Sequence, residues 1–378
     1  VTATQQILEK YRGLISQPDL RKQYLLEIQK HRPITGYFSN YIPEEIIAAA
    51  GLHPLRIIGF YDTSKAHQRT IFNPVCSFVQ NVFQAAGSGE FSFLKNIVFP
   101  NSCDSLKVLR QMWEYEIKKP KPYTLLHPIN TDNEAIQYFA RRLRDFAGEM
   151  GKASGVNFTD SELKRTIEKY NLTRGLLRQL YDIRKDNYFL TGAEAVALMT
   201  AGLILDRDEF NAMLRQVIDE GLQNKHSSEN LKRIMVIGPL TDNYALLEKI
   251  ELFGAIIIDD DITNGRRYCD CDVETAGDLY ENLAKRYLTA GPSPTLNSGI
   301  KTDEQRFLER IDKLNLNGVI FVNQKFCEPH VHNYFAKSAL LKQRQVSTLM
   351  LEIEHTGLDV SERDLLRIES FIEIAGRN

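Results

Sequence analysis

Leu94-Lys95-Asn96-Ile97-Val98-Phe99-Pro100-Asn101-Ser102-Cys103 is an apolar run that ends in a turn and a cysteine. The chain repeats the arrangement in Leu316-Asn317-Gly318-Val319-Ile320-Phe321-Val322-Asn323-Gln324-Lys325-Phe326-Cys327. Each copy continues through a helix-like stretch into a second apolar run, Tyr123-Thr124-Leu125-Leu126 in the first and Ser347-Thr348-Leu349-Met350 in the second. The interval from Cys103 to Thr124 equals that from Cys327 to Thr348, 21 residues each. Short apolar runs alternating with helical spacing describe strands joined by crossover helices. In such sheets ligands are held in the loops beyond the carboxyl ends of the strands. Two matched half-domains facing one another would therefore bring Cys103 and Cys327 together across a cleft.

Outward from these runs, further strands are expected at Ile34 to Phe38, Leu55 to Phe60, Asn96 to Phe99 and Tyr123 to Leu126. A helix is expected from Pro43 to Ala50, with Pro43 at its first position and Glu44 and Glu45 at the positive end of its dipole. From about Thr131 to Asn224 strand signals give way to helix signals. Thr159-Asp160-Ser161-Glu162 is a capping box opening a long helix with Leu163, Ile167, Tyr170, Leu177 and Leu180 at apolar spacing. Another helix begins near Ala193 and a third covers Glu209 to Ile218. Strands resume at Arg233 to Ile237, Ala255 to Ile258, Gly318 to Val322 and Thr348 to Glu352. The expected fold class is α/β, with two doubly wound, Rossmann- or flavodoxin-like domains, a helical middle region and the functional cleft between the two. The expected divisions are residues 1–130, an N-terminal α/β domain, 131–230, a helical region, and 231–378, a C-terminal α/β domain.

The 378 residues suffice for two or three domains, and 43% hydrophobic with 25% charged residues is ordinary for a globular protein. With 47 Lys and Arg against 49 Asp and Glu, the net charge of −2 carries no nucleic-acid footprint. No apolar run approaches the roughly 18 residues of a membrane span, and Val1 to Lys10 has no signal-sequence pattern. The reading is a cytoplasmic protein that binds neither nucleic acid nor membrane. Five cysteines, an odd number, point away from a disulfide framework and toward thiolate ligands or nucleophiles.

Cys103 precedes the helical run Leu106 to Ile117, where backbone N–H groups and the helix dipole should lower its thiol pKa. Cys327 has the same strand-to-helix position and a lysine neighbour, Lys325. Cys76, in Phe72-Asn73-Pro74-Val75-Cys76, reads equally as a ligand or as a buried core cysteine. Cys269 and Cys271 form an isolated Cys-x-Cys, more in keeping with packing than with a cluster. The acidic run Asp259-Asp260-Asp261 suits a hard cation or ordinary cap and loop positions. His330 and His332 follow Cys327, either lining the cleft or solvated beyond a turn. No phosphate loop occurs: Gly151-Lys152 is followed by Ala153 and has Phe146 where the first glycine belongs. Ala85-Ala86-Gly87-Ser88-Gly89 lacks the dinucleotide fingerprint. If ATP is used, another polypeptide binds it.

Ile34-Thr-Gly-Tyr-Phe-Ser-Asn-Tyr-Ile-Pro-Glu-Glu-Ile-Ile-Ala-Ala-Ala-Gly51-Leu-His-Pro resembles the opening of the 2-hydroxyacyl-CoA dehydratase and benzoyl-CoA reductase family. So do Cys103-Asp104-Ser105 followed by Met112-Trp113, the Asp260 to Arg266 run, and Lys325-Phe326-Cys327. The resemblance covers nearly the whole chain. It implies an iron-sulfur protein in which Cys76, Cys103 and Cys327 hold a [4Fe-4S] cluster whose fourth iron is open or carries a non-protein ligand. One position departs from the pattern: Ile262 stands where many relatives have cysteine. A sister group builds a double-cubane from six cysteines, a number this chain does not reach.

The resemblance further implies a subunit of an oxygen-sensitive acyl-CoA dehydratase or reductase, lyase or oxidoreductase, which passes a low-potential electron to a CoA thioester. The partners implied are a homologous second subunit, a separate ATP-hydrolysing iron-sulfur activator and an acyl-CoA substrate. In the dehydratases a ketyl radical expels the hydroxyl at carbon 2 and the electron is recycled; in benzoyl-CoA reductases the electrons stay in a dearomatised ring. By position and resemblance, Ser39 and Glu45, in the loop after the first strand, are candidate catalytic contacts to the thioester or the cluster environment. Three alternatives stay open: a benzoyl-CoA reductase subunit, a stand-alone homodimeric reductase, and a non-enzymatic two-lobed binding or cluster-scaffold protein.

Overall fold

The computed structural model describes residues 3–59, 74–224, 230–241, 243–289, 294–296, 300–354 and 360–376. The N-terminal part comprises α1 (Ala3–Ser16), α2 (Pro18–Gln29), β1 (Ile34–Tyr37), α3 (Glu44–Ala49), β2 (His53–Arg56), α4 (Ser77–Gly87), β3 (Asn96–Pro100), α5 (Asp104–Met112) and β4 (Lys121–Leu125). A single π-helical turn, Trp113–Ile117, extends α5. The middle holds α6 (Asn133–Ser154), α7 (Asp160–Arg184), α8 (Gly192–Gly202) and α9 (Arg207–Gln223). Then follow β5 (Lys232–Ile237), α10 (Tyr244–Leu252), β6 (Ala255–Asp261), α11 (Leu279–Thr289), α12 (Ile300–Leu314), β7 (Gly318–Gln324), α13 (Glu328–Gln343), β8 (Ser347–Ile353) and α14 (Glu362–Ile374).

Each half contributes one four-stranded sheet, ordered β2-β1-β3-β4 and β6-β5-β7-β8, with every pair parallel. These two sheets and their crossover helices are consistent with two Rossmann-like domains, and the duplicated runs β3 and β7 occupy equivalent central places. Parallel strands covered on both faces need no polar alternation, which is why they read as unbroken apolar runs. Successive residues nonetheless face different cores: Ile97 and Phe99 pack in one cluster and Val98 in another. Likewise Ile320 and Val322 face one core while Val319 and Phe321 face the opposite one.

The expected strand from Leu55 to Phe60 is displaced: β2 is His53–Arg56, and Phe60 lies outside the described residues. β2 is an edge strand paired only with β1 among the described strands, where the N–H that Pro54 lacks disturbs no central ladder. Pro43 is the N-cap of α3, not its first helical residue. The capping box at Thr159 is closed in both directions: the Glu162 amide donates to Thr159 Oγ1 at 3.3 Å and the Thr159 amide to Glu162 Oε2 at 2.7 Å. A second box, Thr191 with Glu194, opens α8.

The middle helices are packed on both sides. Helix α1 lies on α8 and α9, α7 on α9 and α3, and α6 on α11. No helix among the described residues is long and apolar enough to cross a membrane.

Candidate functional site

Cys103 and Cys327 each stand three residues beyond the end of a central strand, after Pro100 of β3 and Gln324 of β7, and each is the N-cap of the following helix. Cys76 is the N-cap of α4. The equal 21-residue intervals are not structural equivalents. Thr124 pairs with Phe99, four residues before Cys103, whereas Thr348 pairs with Val319, eight before Cys327. What is duplicated is the topology and the strand-to-cysteine step.

All three cysteines belong to one packing environment: Cys76 lies in the core cluster that includes Phe38, Phe99 and Tyr268, and Cys103 and Cys327 pack against it. None of the three side chains closes a capping hydrogen bond. In each case the backbone N–H three residues on, that of Val79, Leu106 or His330, lies where it favours the thiolate. Three helix N-termini thus turn positive ends toward three sulfurs. The expectation that this lowers the Cys103 pKa is corrected by the structure: burial outweighs the amides and pushes it up. Burial pushes Cys76 up to about 11. Cys327 is raised by burial and then by the neighbouring sulfurs of Cys76 and Cys103, with Arg267 opposing. The three sulfurs are therefore within electrostatic reach of one another, and a bound cationic centre would favour their ionised form. Among the described residues no group of three or more His, Cys, Asp or Glu is gathered tightly enough for a single metal ion. One buried and two half-buried thiols at three helix N-termini are a donor set that could hold a larger cluster.

Ser39 lies at the carboxyl end of β1, half-buried and with a φ of 65°. Glu45 is fully buried. It is in the first turn of α3, with Arg174 Nη1 donating to Oε1 at 2.8 Å and the Tyr287 hydroxyl to Oε2 at 2.7 Å. Burial alone would raise its pKa, but Arg174 and Arg286 reverse that and hold it below the usual carboxylate range. Its neighbour Glu44 accepts from Tyr37 at 3.0 Å, Arg207 at 3.0 Å and Tyr268 at 2.5 Å. Two adjacent carboxylates thereby tie the first sheet to the middle helices and to the segment after β6.

The acidic run ends β6 and is fully committed within the protein. Asp259 pairs with Arg310 at 2.8 Å, while Asp260 accepts from Tyr181 and from the Arg266 amide at 2.9 Å. Asp261 accepts from Arg267 Nε and Lys337 Nζ, each at 2.6 Å, which hold its carboxyl well below the ordinary range despite burial. His330, on the same helix as Lys337, is buried and kept neutral by that burial and by Arg267. Cys269 is buried with its sulfur donating to the Arg266 carbonyl at 3.4 Å; Cys271 lines a cavity of about 530 Å³ together with Asp270, Arg286 and Arg310. The arginine and tyrosine members of these networks, Arg174, Arg207, Tyr268 and Tyr287, carried no local sequence signal; only the unusual Glu-Glu at the start of an apolar helix hinted at buried partners.

Fold and site together define an α/β protein of two parallel-sheet lobes with three N-cap cysteines turned toward one core. The chain belongs to the family of the 2-hydroxyglutaryl-CoA dehydratase D-component, whose model matches residues 39–375. It is 28% identical to a benzoyl-CoA reductase subunit of Thauera aromatica over 313 residues, 80% of this chain and 81% of that one. It is 26% identical to the (R)-phenyllactyl-CoA dehydratase beta subunit of Clostridium sporogenes, over 86% and 87% of the two chains. With the (R)-2-hydroxyglutaryl-CoA dehydratase beta subunit of Acidaminococcus fermentans, identity is 20% over 89% and 90%. The relatives are enzyme subunits, which supports an enzyme-subunit role for this chain.

Proposed function

We propose that this chain is the iron-sulfur subunit of an ATP-activated 2-hydroxyacyl-CoA dehydratase-type enzyme, in which Cys76, Cys103 and Cys327 hold one [4Fe-4S] cluster. The observation that carries the reading is the convergence of three N-cap cysteines, from both lobes, on one core. When bound, such a cluster supplies a single low-potential electron, with its potential set by net charge, hydrogen bonds and exposure. The protein's own contribution is to present three sulfurs, to direct an amide toward each, and to limit their exposure, with Cys76 buried and Cys103 and Cys327 half-buried. Ser39, at the carboxyl end of β1, is a candidate contact to the thioester or the cluster environment. Glu45 acts on that loop indirectly, by anchoring α3 through Arg174.

A homologous second subunit is supported by relatives that are themselves named as subunits. A separate ATP-hydrolysing activator is supported by the lack of any phosphate-loop sequence in this chain. A CoA thioester substrate and a cytoplasmic site of action complete the reading. The similarity to the Thauera benzoyl-CoA reductase favours a second version, ring reduction in place of dehydration.

Anaerobic purification with iron and sulfide analysis, followed by identification of co-purifying chains, tests the proposal. Brown protein carrying about four irons per chain, with a homologous partner, is expected. A colourless, iron-free anaerobic preparation would point to a two-lobed binding protein or scaffold instead.

A further inference from the structure

Two serines flank Cys103, one directly before it and one two residues after it, in Asn101-Ser102-Cys103-Asp104-Ser105. Asn101 pins this turn to the end of β4: its amide donates to the Leu125 carbonyl at 3.4 Å, and its Oδ1 accepts from the His127 amide at 2.7 Å. Ser102 is held there with 7% of its surface exposed, and its hydroxyl makes no well-aligned hydrogen bond to any described group. Buried hydroxyls are ordinarily paired, and one left without a partner is costly. The group this hydroxyl lies against is the Cys103 sulfur, whose ionised form it favours.

Ser105 is half-buried in the first turn of α5. Its hydroxyl favours the thiolate of Cys76, the N-cap of the neighbouring α4. The two hydroxyls thus serve two different sulfurs, both from the first lobe. Against the burial of Cys327 stand the His330 amide and the Arg267 charge instead. A neutral thiol is a weak acceptor, whereas a thiolate is a charged one and takes a stronger bond. Ser102 therefore gains a full partner only when Cys103 is ionised and ligating.

We propose that Ser102 and Ser105 are positioning residues that donate hydrogen bonds to the metal-bound sulfurs of Cys103 and Cys76 and so raise the reduction potential of the cluster. The inference rests on the reading of Cys76, Cys103 and Cys327 as the cluster's ligands. One electron taken from an external low-potential donor adds negative charge that spreads onto the sulfurs. A donor aimed at a sulfur stabilises the reduced form more than the oxidised one.

The test is an anaerobic redox titration of the full chain as purified, with dithionite and mediators, after iron and sulfide analysis. Ser102→Ala should keep its iron and shift the oxidised-to-reduced ratio at a fixed potential about tenfold toward the oxidised form, ~59 mV for one electron. Ser102→Thr, which keeps the hydroxyl, should return most of that shift. Ser105→Ala should move the midpoint in the same direction by less, because its hydroxyl is the more exposed. Electron–nuclear double resonance of the reduced wild type should show a proton coupling that is lost in D2O and weakened in both alanine variants. An iron-free wild type overturns the ligand reading and this inference with it, before any titration. Iron-loaded Ser102→Ala with an unmoved midpoint overturns the inference alone, as does a Ser102→Thr displaced as far as Ser102→Ala. Should Ser102→Ala not hold iron, the Ser105→Ala midpoint decides, and one equal to the wild type overturns the proposal.

Discussion

Arg174 Nη1 stands 2.8 Å from Glu45 Oε1, and neither side chain reaches solvent. The pair joins α7 of the helical layer to α3 of the first lobe, and Tyr287 of α11 takes the second carboxylate oxygen. An ion pair placed this deep gives positional definition more than net stability.

Removing one partner should be severe. Arg174→Leu alone leaves a buried carboxylate and should cost about 3–5 kcal/mol, read from urea midpoints, whereas Arg174→Leu with Glu45→Leu should recover much of that loss. The folded-state pKa of Glu45 lies below its unfolded value. Its contribution is therefore complete above the unfolded carboxylate range near pH ~4.3 and is lost as pH falls through the folded value. An acid limb of stability that is unchanged in Glu45→Gln would contradict this.

The thiols have the opposite sign. Cys76 is raised to about 11, so in metal-free protein its contribution is present below the unfolded thiol value of roughly 8.5 and is lost as pH rises toward 11. Metal-free protein should accordingly lose stability in alkali, and alkylation of Cys76 at neutral pH should be slow. Rapid modification at pH 7 would show that the sulfur is not held in the buried state described.

Replacing Cys103 with serine should remove most of the iron and brown absorbance, as should the same change at Cys76 or Cys327. Cys269→Ser should retain them, because that sulfur is bonded to the Arg266 carbonyl within the core. A full iron complement in Cys103→Ser together with loss in Cys269→Ser reverses the assignment.

Ser39→Ala should lower turnover while leaving iron content unchanged. Because Ser39 has a φ of 65°, a conformation glycine adopts without strain, Ser39→Gly should be at least as stable as Ser39→Ala. If both variants turn over normally, the hydroxyl has no part in the reaction.

The isolated chain should not turn over acyl-CoA substrates when given ATP and a chemical reductant, and should do so once an activator and partner subunit are added. Sustained ATP-dependent turnover by this chain with nothing else present would defeat the partner assignment.

The elements were legible in the sequence wherever the signal is local. Strands β3, β5, β6 and β7 were each placed within a few residues, because a strand buried on both faces leaves an uninterrupted apolar run, and the edge strand β8 was placed as closely although only its Leu351 is buried. The Thr159 box marked the start of α7 because a cap and its N3 partner are three residues apart. Helix α6, Asn133–Ser154, was recognised only as part of a helical region, and the edge strand β2, His53–Arg56, begins two residues before the expected Leu55.

Sequence by itself determined the α/β class, the two matched runs and the strand-to-helix position of Cys103 and Cys327, all of which depend on residues close together in the chain. Tertiary structure decided the rest. It brought Cys76 onto the same core as Cys103 and Cys327, and it showed that the equal 21-residue intervals fall at different registers. It also made burial outweigh the helix ends in setting the thiol pKa values. Most of all, it turned Glu44 and Glu45 from a helix-dipole pattern into buried anchors for Arg207 and Arg174. Desolvation and ion pairing depend on which distant side chains surround a group, and that is settled only when the lobes and the helical layer close on one another.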